Sequence, residues 1–215
     1  MSGNYALGLF EDRLPAAGRL RLPAGNRVLY VRQGAVEVTK SAGAAARVAE
    51  GQAWYGAVAC EVAASESGTA VLRYELSQGA APGGGDAKVL LEHVIDLDPR
   101  AEYLMRADRV DFAPGGVALP HRHRGGGIRC LLQGALEVTV GEGAPRAVAP
   151  GEAWFESGRE PVRAVAAPQE TSFIRFSVLP AAIRGQSSIL YVDPAAAATG
   201  RPRRYTVYVD EPITL

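Results

Sequence analysis

Residues 32–56 read RQGAVEVTKSAGAAARVAEGQAWYG, and residues 132–156 read LQGALEVTVGEGAPRAVAPGEAWFE. The two stretches align without a gap at an offset of 100 residues, and 13 of the 22 positions from Gln33 to Trp54 are identical to their partners. The only two tryptophans, Trp54 and Trp154, occupy equivalent positions, which favours a packing role over a ligand-stacking platform. Because two copies are too few for a stacked solenoid, the repeat predicts two similar domains.

Each copy has the residue pattern of β-structure. VLYVRQGAVEV (28–38) and IRCLLQGALEV (128–138) are apolar, partly β-branched runs that a glycine interrupts, which is typical of a strand, a tight turn and a second strand. Turn residues recur about every 8 to 12 positions, as in sandwiches and barrels. No long stretch shows helical periodicity. We therefore predict an all-β protein made of two barrels.

Composition suggests where one barrel ends. QGAAPGGGDA (78–87) is rich in Gly, Pro and Ala and has the character of an exposed, flexible linker. This predicts an N-terminal barrel at 1–77, a linker at 78–87 and a C-terminal barrel at 88–215. The last segment, RRYTVYVDEPITL (203–215), predicts one more strand, which closes the second barrel, covers the first or pairs with another subunit.

The charge balance argues against two classes of partner. Lys plus Arg and Asp plus Glu each number 23, so there is no net attraction to nucleic acid or to an anionic membrane. The chain has no apolar run of about 18 residues, and its first residues lack the pattern of a signal peptide. We expect a cytoplasmic protein, and barrel edges together with the C-terminal strand predict a homodimer.

The stretch GGVALPHRHRGGGIRCLLQG (115–134) carries the residues best suited to chemistry. His121 and His123 are two residues apart, so on a strand both imidazoles project from one face. They are two of the three histidines in the chain. Two imidazoles on one face can bind a single divalent ion. The structural alternative is an exposed histidine pair at a polar strand end.

This stretch resembles the first motif of the cupin superfamily. That motif has a Gly, five further residues, His-x-His, a Glu after a short spacer and a final Gly. Gly115, His121, His123 and Gly134 fall on motif positions at the expected spacing, whereas Gly127 stands where the motif has Glu. The resemblance therefore implies a metal site that is only partly retained.

The second cupin motif is also incomplete. Gly151, Glu152 and Gly158 approximate its frame, but Pro161 and Val162 stand where its histidine belongs. The two repeats cover nearly the whole chain, so the resemblance implies two tandem cupin-like barrels of the double-stranded β-helix, or jelly-roll, fold. At most two of the four usual cupin ligands remain.

Glu156 is the leading candidate for a third metal ligand, since the first copy has Gly56 at the matching position. With His121 and His123 it would form a two-His-one-carboxylate set, which suits iron(II), manganese or zinc. The alternatives are a surface carboxylate or a general base. His93 is a weaker candidate, because LLEHVIDL predicts a strand that enters the second domain.

Arg129 lies two residues after Gly127 and shares its strand face. If that face points into the barrel, the guanidinium must be paired, and it is suited to bidentate capture of a carboxylate. The carboxylate is either Glu156 or an acidic ligand. The alternative is an outward-facing arginine. We therefore predict a small polar or acidic metabolite as the partner, bound by Arg129 and Glu156.

The first copy lacks these groups. Arg21 and Pro23 stand 100 residues before the two histidines, and Arg27 stands 100 residues before Gly127. The first barrel is therefore predicted to be structural or dimerising. Two hypotheses remain for the whole chain. One is a bicupin with a divalent metal and a small-molecule pocket in the second barrel, its reaction unassigned. The other is a non-catalytic bicupin for small-molecule binding or assembly, with a decayed metal site.

Overall fold

The computed structural model describes residues 3–41, 43, 45–65, 68–79, 86–197 and 203–215. These residues are mostly β-strand, with two short 3-10 helices at Ala181–Ile183 and Pro194–Ala197, so the all-β prediction is confirmed. Within them, no helix combines the length and apolar character that crossing a membrane requires. The chain divides into two compact units, one of residues 1–101 and 213–215 and one of residues 102–212.

The first unit is a barrel of two sheets with strand orders β6-β3-β8-β1-β9 and β2-β7-β4-β5. Its strands are β1 (Gly3–Leu14), β2 (Arg19–Leu22), β3 (Asn26–Gln33), β4 (Ala35–Lys40), β5 (Ala46–Ala49), β6 (Ala53–Gly56), β7 (Cys60–Ala64), β8 (Thr69–Gln78) and β9 (Lys88–Leu97).

The second unit is a barrel of two sheets with orders β15-β12-β17-β10-β19 and β14-β13-β16-β11-β18. Its strands are β10 (Tyr103–Phe112), β11 (Val117–His123), β12 (Gly127–Gln133), β13 (Leu136–Val140), β14 (Arg146–Val148), β15 (Ala153–Glu156), β16 (Val162–Ala166), β17 (Thr171–Pro180), β18 (Ile189–Tyr191) and β19 (Arg203–Ile213).

Each barrel buries an apolar core between its two sheets. Residues alternate across a strand, so every second side chain of an inner strand faces the core. The core of the first barrel contains Leu22, Leu29, Val31, Val36, Val38, Val48, Cys60, Val62 and Val71. The core of the second contains Val110, Phe112, Ala118, Leu131, Leu136, Val138, Val148, Trp154, Val162, Ala164, Ala166 and Phe173.

The repeated glycines form the predicted turns. Gly34 and Gly134 have φ values of +79° and +81°, a conformation that side chains with a Cβ rarely adopt. A Cβ at Gly134 would also lie 2.3 Å from the hydroxyl oxygen of Thr171. Both glycines stand between paired strands, β3 and β4 in one barrel and β12 and β13 in the other. The strand–turn–strand prediction is therefore confirmed in both copies.

The boundary between the units lies at Ala101 and Glu102, not before residue 88 as the composition predicted. Strand β9 pairs antiparallel with β1, from Gly3 opposite Leu97 to Glu11 opposite Lys88, and so belongs to the first barrel. Residues 80–85 of the predicted linker are outside the described residues. A Gly/Pro-rich segment marks where the chain can turn, but it does not specify which sheet the next strand joins.

Up to residue 212 the C-terminal segment takes the first of the three predicted arrangements, whereas residues 213–215 group with the first unit. Strand β19 pairs with β10 at the edge of the second barrel's larger sheet. Strand β9 occupies the corresponding edge of the first barrel, beside β1. In each barrel the last strand along the chain thus lies beside the first.

Candidate functional site

The second barrel contains a small cavity, which we call the inner cavity, of about 20 Å³. That volume holds about one water molecule or one ion. Its wall includes all four of the predicted site residues, namely His121, His123, Arg129 and Glu156. The rest of the wall is largely apolar core, including Val110, Phe112, Ala118, Trp154, Val162 and Phe173.

All four side chains are buried. His121 and His123 lie on the same, inward face of β11 and are 6% and 7% exposed, so the exposed-pair alternative is wrong. Arg129, on β12, is 1% exposed and therefore does not face solvent. Glu156, on β15, is 5% exposed and is not a surface carboxylate. The structure thus brings together residues from three strands that lie up to 35 positions apart in sequence.

Gly127 explains why the motif carboxylate is absent from β12. A Cβ at this position would lie 2.1 Å from the carbonyl oxygen of Phe176, so backbone approach leaves no room for any side chain. Glu156 is the direct cross-strand partner of Gly127 in the pairing of β12 with β15. The carboxylate therefore enters the barrel from the neighbouring strand.

The Glu156 carboxylate is held by three donors. Its Oε1 accepts a hydrogen bond from Trp154 Nε1 at 2.8 Å. Its Oε2 lies 2.8 Å from Arg129 Nη2 and 3.3 Å from His123 Nε2. Burial raises the pKa of Glu156, but the charge of Arg129, with the hydrogen bonds from His123 and Trp154, more than offsets this and holds the pKa well below its usual range. Glu156 is therefore a paired carboxylate anion.

His123 is held in one tautomer by its neighbours. Its Nδ1 lies 3.4 Å from Arg175 Nη1 and 3.5 Å from Ser188 Oγ. A guanidinium only donates hydrogen bonds, so Nδ1 accepts, and the neutral ring carries its hydrogen on Nε2, toward Glu156. Burial, opposed by Glu156 and reinforced by the charges of Arg175 and Arg129, lowers the pKa of His123 to about 3. The imidazole is thus neutral at ordinary pH.

His121 has the opposite orientation. Its Nδ1 lies 2.7 Å from the carbonyl oxygen of Leu119, which only accepts, so Nδ1 carries a hydrogen. In the neutral ring Nε2 then offers a lone pair. The two imidazoles meet edge to face, with ring centroids 4.8 Å apart. A histidine whose far nitrogen is bonded to a carbonyl is oriented as metal ligands commonly are.

Sequence reasoning missed Arg175, Asp108 and Ser188. Arg175, on β17, forms a two-point ion pair with Asp108 of β10, with N–O distances of 2.9 and 2.6 Å. Ser188 approaches from the segment before β18. A signal was available for Arg175, because an arginine inside the apolar run SFIRFSVLP must be paired if it is buried. His93 is exposed on β9 of the first barrel and lies outside the site.

The corresponding region of the first barrel is filled by a chain of ion pairs. Arg27 Nε lies 2.9 Å from Glu75 Oε1, and Arg73 Nη1 lies 3.0 Å from Glu75 Oε2. Arg73 also binds Asp12 at 2.7 and 3.2 Å. All four side chains are at most 5% exposed. We call this set, Arg27, Glu75, Arg73 and Asp12, the ion chain.

The imidazole and carboxylate groups around the inner cavity are of the types that bind divalent metals, but the neighbouring Arg129 charge opposes a bound cation. The separation of 3.3 Å between His123 Nε2 and Glu156 Oε2 is close to the roughly 3.0–3.4 Å expected for two ligands of one metal with bonds of about 2.1 Å. However, within the described residues no group of three or more His, Cys, Asp or Glu side chains is placed to hold a metal. Arg129 already supplies the positive charge beside Glu156. In this arrangement the residues do not fit a resident metal.

Sequence comparison gives no relatives, since no protein-family model and no curated protein sequence matches this chain. Comparison with solved structures does find proteins of similar fold. An oxalate decarboxylase from Lactobacillus farciminis, solved as a formate complex, superposes with a TM-score of 0.68 at 11% identity, over 91% of this chain and 82% of that one. AerE from Microcystis aeruginosa gives a TM-score of 0.62 at 11% identity, over 80% and 88% of the two chains.

A cupin 2 conserved barrel domain protein from Leptotrichia buccalis gives a TM-score of 0.51 at 18% identity, over 83% of this chain and 87% of that one. At these identities the comparisons establish the fold and not the activity. They agree with the two barrels and the jelly-roll sheets. The chain therefore has a bicupin fold, that is, two tandem cupin-like jelly-roll barrels.

Proposed function

We propose that the second barrel binds a small polar molecule and that the first barrel has a structural role. The observation that carries the proposal is a cavity lined by the buried polar side chains of His123, Arg129, Glu156 and Arg175 within an otherwise apolar core. Burying paired charges gives little or no net stability. Clusters with strongly shifted pKa values are common at functional sites. The cluster therefore supports a binding role for the barrel interior.

Binding is favoured over acid–base catalysis by the protonation states of Glu156 and His123. General acid–base catalysis works best when a pKa lies near the working pH. The pKa of Glu156 is held low by Arg129, which makes it a weak base, and His123 has a pKa of about 3 and carries no proton to donate as an imidazolium. These states support the non-catalytic hypothesis for the bicupin.

A divalent metal bound by His121, His123 and Glu156 is a second candidate. The specific observations in its favour are the spacing of 3.3 Å between His123 and Glu156 and the orientation of His121 by Leu119. Binding would require Arg129 to leave Glu156 and His123 to give up the hydrogen on Nε2. A neighbouring guanidinium also disfavours a second cation. Iron(II), manganese or zinc would suit the donor set.

The binding proposal can be tested with the three histidines as reporters. In protein labelled with ¹³C at histidine Cε1, formate, glycolate, acetamide and dihydroxyacetone are titrated separately. We expect at least one of these to shift the signals of His121 and His123, while exposed His93 in the first barrel stays constant. The shift should weaken in Arg129→Met and persist in Arg122→Met, a matched arginine that is exposed on β11. Constant signals with all four compounds would overturn the proposal.

The metal candidate has a separate test. Elemental analysis of untagged protein is run beside His121→Ala and Glu156→Ala, after incubation with iron(II), manganese or zinc and removal of free metal. The binding proposal expects well under one equivalent in the wild-type protein. One equivalent that is lost in both variants would establish the two-His-one-carboxylate site and replace the metal-free assignment.

A further inference from the structure

A second, larger cavity lies beside the inner cavity, and we call it the outer pocket. Its volume is about 470 Å³, within the range of about 300–1,000 Å³ that small-molecule sites commonly have. Strands β10, β17 and β19 and the segment from Gly185 to Ile189 form its wall, all within the second barrel. Arg175 and Tyr205 line both cavities, so a molecule in the outer pocket would touch the wall of the inner one.

One wall of the outer pocket is made of two complete ion pairs. Arg106 binds Asp210 at 2.8 and 3.0 Å, and Arg175 binds Asp108 at 2.9 and 2.6 Å. All four residues line the pocket, so its charged wall has two positive and two negative groups. Burial lowers the pKa of Arg175, but Asp108 more than offsets this and raises it above the ordinary value. The wall therefore has no net charge.

The polar wall is held in place by its own backbone contacts. Arg106 donates to the carbonyl oxygens of Gln186 and Ile183 at 2.8 and 3.1 Å. The backbone N–H of Gly185 donates to Asp210 at 2.7 Å. These contacts fix the segment that carries Ser187 and Ser188 against the Arg106–Asp210 pair. A ligand would thus meet a pre-formed surface, which reduces the entropic cost of binding.

The other wall is apolar and open. Tyr205 and Val207, two residues apart on β19, are 40% and 56% exposed, and Ile189 lies on the same pocket. Apolar surface next to convergent polar groups is the usual composition of a ligand site. The exposed ring of Tyr205 offers a flat face against which an aromatic group can stack while its polar end faces the ion pairs.

We propose that the outer pocket takes an uncharged molecule with an apolar, flat body and a polar end that both donates and accepts hydrogen bonds, such as a primary amide. This inference rests on the proposed function and narrows its ligand class. A carboxylate ligand would meet Arg106 and Arg175, whose charges are already neutralised by their aspartate partners. A cationic ligand would meet Asp108 and Asp210, whose charges are already neutralised by the arginines. Either would lose hydration without a free counter-charge. A primary amide can donate hydrogen bonds to the carboxylates and accept them from the guanidiniums, and it has no charge to desolvate.

The test uses three probes of nearly equal size that differ in charge, namely benzamide, benzoate and benzamidine. Dissociation constants are measured at pH 7 from ¹⁵N–¹H chemical shifts. We expect benzamide to bind at least about tenfold more tightly than either charged probe. Val207→Asp should weaken benzamide at least about tenfold, whereas Val192→Asp, an exposed valine outside the pocket, should leave it unchanged. Asp210→Asn leaves Arg106 without its carboxylate and should shift the preference toward benzoate.

Tighter binding of benzoate or benzamidine by the wild-type protein would overturn the uncharged ligand class. Equal weakening by Val207→Asp and Val192→Asp would overturn the location. If none of the three probes binds while a compound of the earlier set still shifts His123, this inference fails and the proposed function stands. If no compound of the earlier set shifts His121 or His123, the proposed function fails, whether or not benzamide binds.

Discussion

The two barrels use one equivalent arginine in different ways. Arg73 is the pairing partner of Leu29 on β3, and Arg175 is the partner of Arg129 on β12. Since Leu29 and Arg129 correspond across the repeat, Arg73 and Arg175 correspond too. In the first barrel Arg73 belongs to the ion chain, whereas in the second Arg175 pairs with Asp108 and contacts His123.

Two further positions account for the difference between the barrels. Arg27 of the ion chain corresponds to Gly127, and Gly56 corresponds to Glu156. A Cβ at Gly56 would lie 2.2 Å from the ring of Trp54, so that ring occupies the space in which the Glu156 side chain begins. One buried acid and one buried base thus stand on different strands in the two barrels, and the second barrel has a polar cavity where the first has the ion chain.

Breaking the ion chain should have the largest effect. Arg73→Leu leaves Asp12 without its two-point partner and Glu75 with Arg27 alone. We expect a loss of about 3–5 kcal/mol in the free energy of unfolding of the first barrel, because an uncompensated buried charge is costly. Denaturant unfolding is followed by fluorescence in a Trp154→Phe background, so that Trp54 reports the first barrel. The exposed control Arg13→Ala should cost under about 1 kcal/mol.

Acid should destabilise the second barrel through His123. Its pKa falls from 6.5 to about 3 on folding, so between these values the unfolded chain binds more protons and stability decreases as the pH falls. From pH 6.5 to 5, above the ordinary pKa of 4.5 for Glu156, this amounts to about 1.5–2 kcal/mol. His123→Gln should flatten the dependence in that window, measured by urea unfolding at several pH values. An unchanged slope would contradict a buried neutral His123, and His93→Gln is the control.

Restoring the motif residue at position 127 should fail. Gly127→Ala places a Cβ 2.1 Å from the Phe176 carbonyl oxygen, and we expect a loss of about 1–3 kcal/mol from the resulting strain. Gly127→Glu should be at least as destabilising and should not create a metal site. The control Gly68→Ala has only an ordinary contact at 3.7 Å. A thermally stable Gly127→Glu protein that binds zinc would show that the backbone can open at this position.

The smallest expected difference concerns the two tryptophans. Trp154→Phe removes the donor to Glu156 Oε1 and should cost about 1–3 kcal/mol, since a buried acceptor loses its partner. Trp54 is only partly buried, with Lys40 Nζ 5.7 Å from its ring centroid, so Trp54→Phe should cost less. Thermal melts of the two variants provide the measurement. Equal losses would mean that the bond to Glu156 adds nothing to the packing of the ring.

The repeat and its turns could be predicted from the sequence, because glycine turns and apolar runs are local signals. The convergence of His121, His123, Arg129 and Glu156 was also accessible, through strand alternation and the partial motif. The presence of Arg175 at the site could not be predicted, since its position opposite Arg129 depends on the register between strands that are distant in sequence. Between Trp54 and Arg73 the repeat gains two residues, as the offset rises from 100 to 102. The assignment of β9 likewise depended on a pairing that local composition does not encode.

The placement of the last strand beside the first has a consequence for synthesis. β10 begins at residue 103, and its neighbour β19 begins at residue 203, so the ribosome adds about a hundred residues between them. At roughly 5–20 residues per second this takes on the order of 5–20 s. In the first barrel, β1 begins at residue 3 and its neighbour β9 at residue 88, so the interval is nearly as long. During each interval one edge of the first strand has no partner, which leaves it open to pairing with another nascent chain.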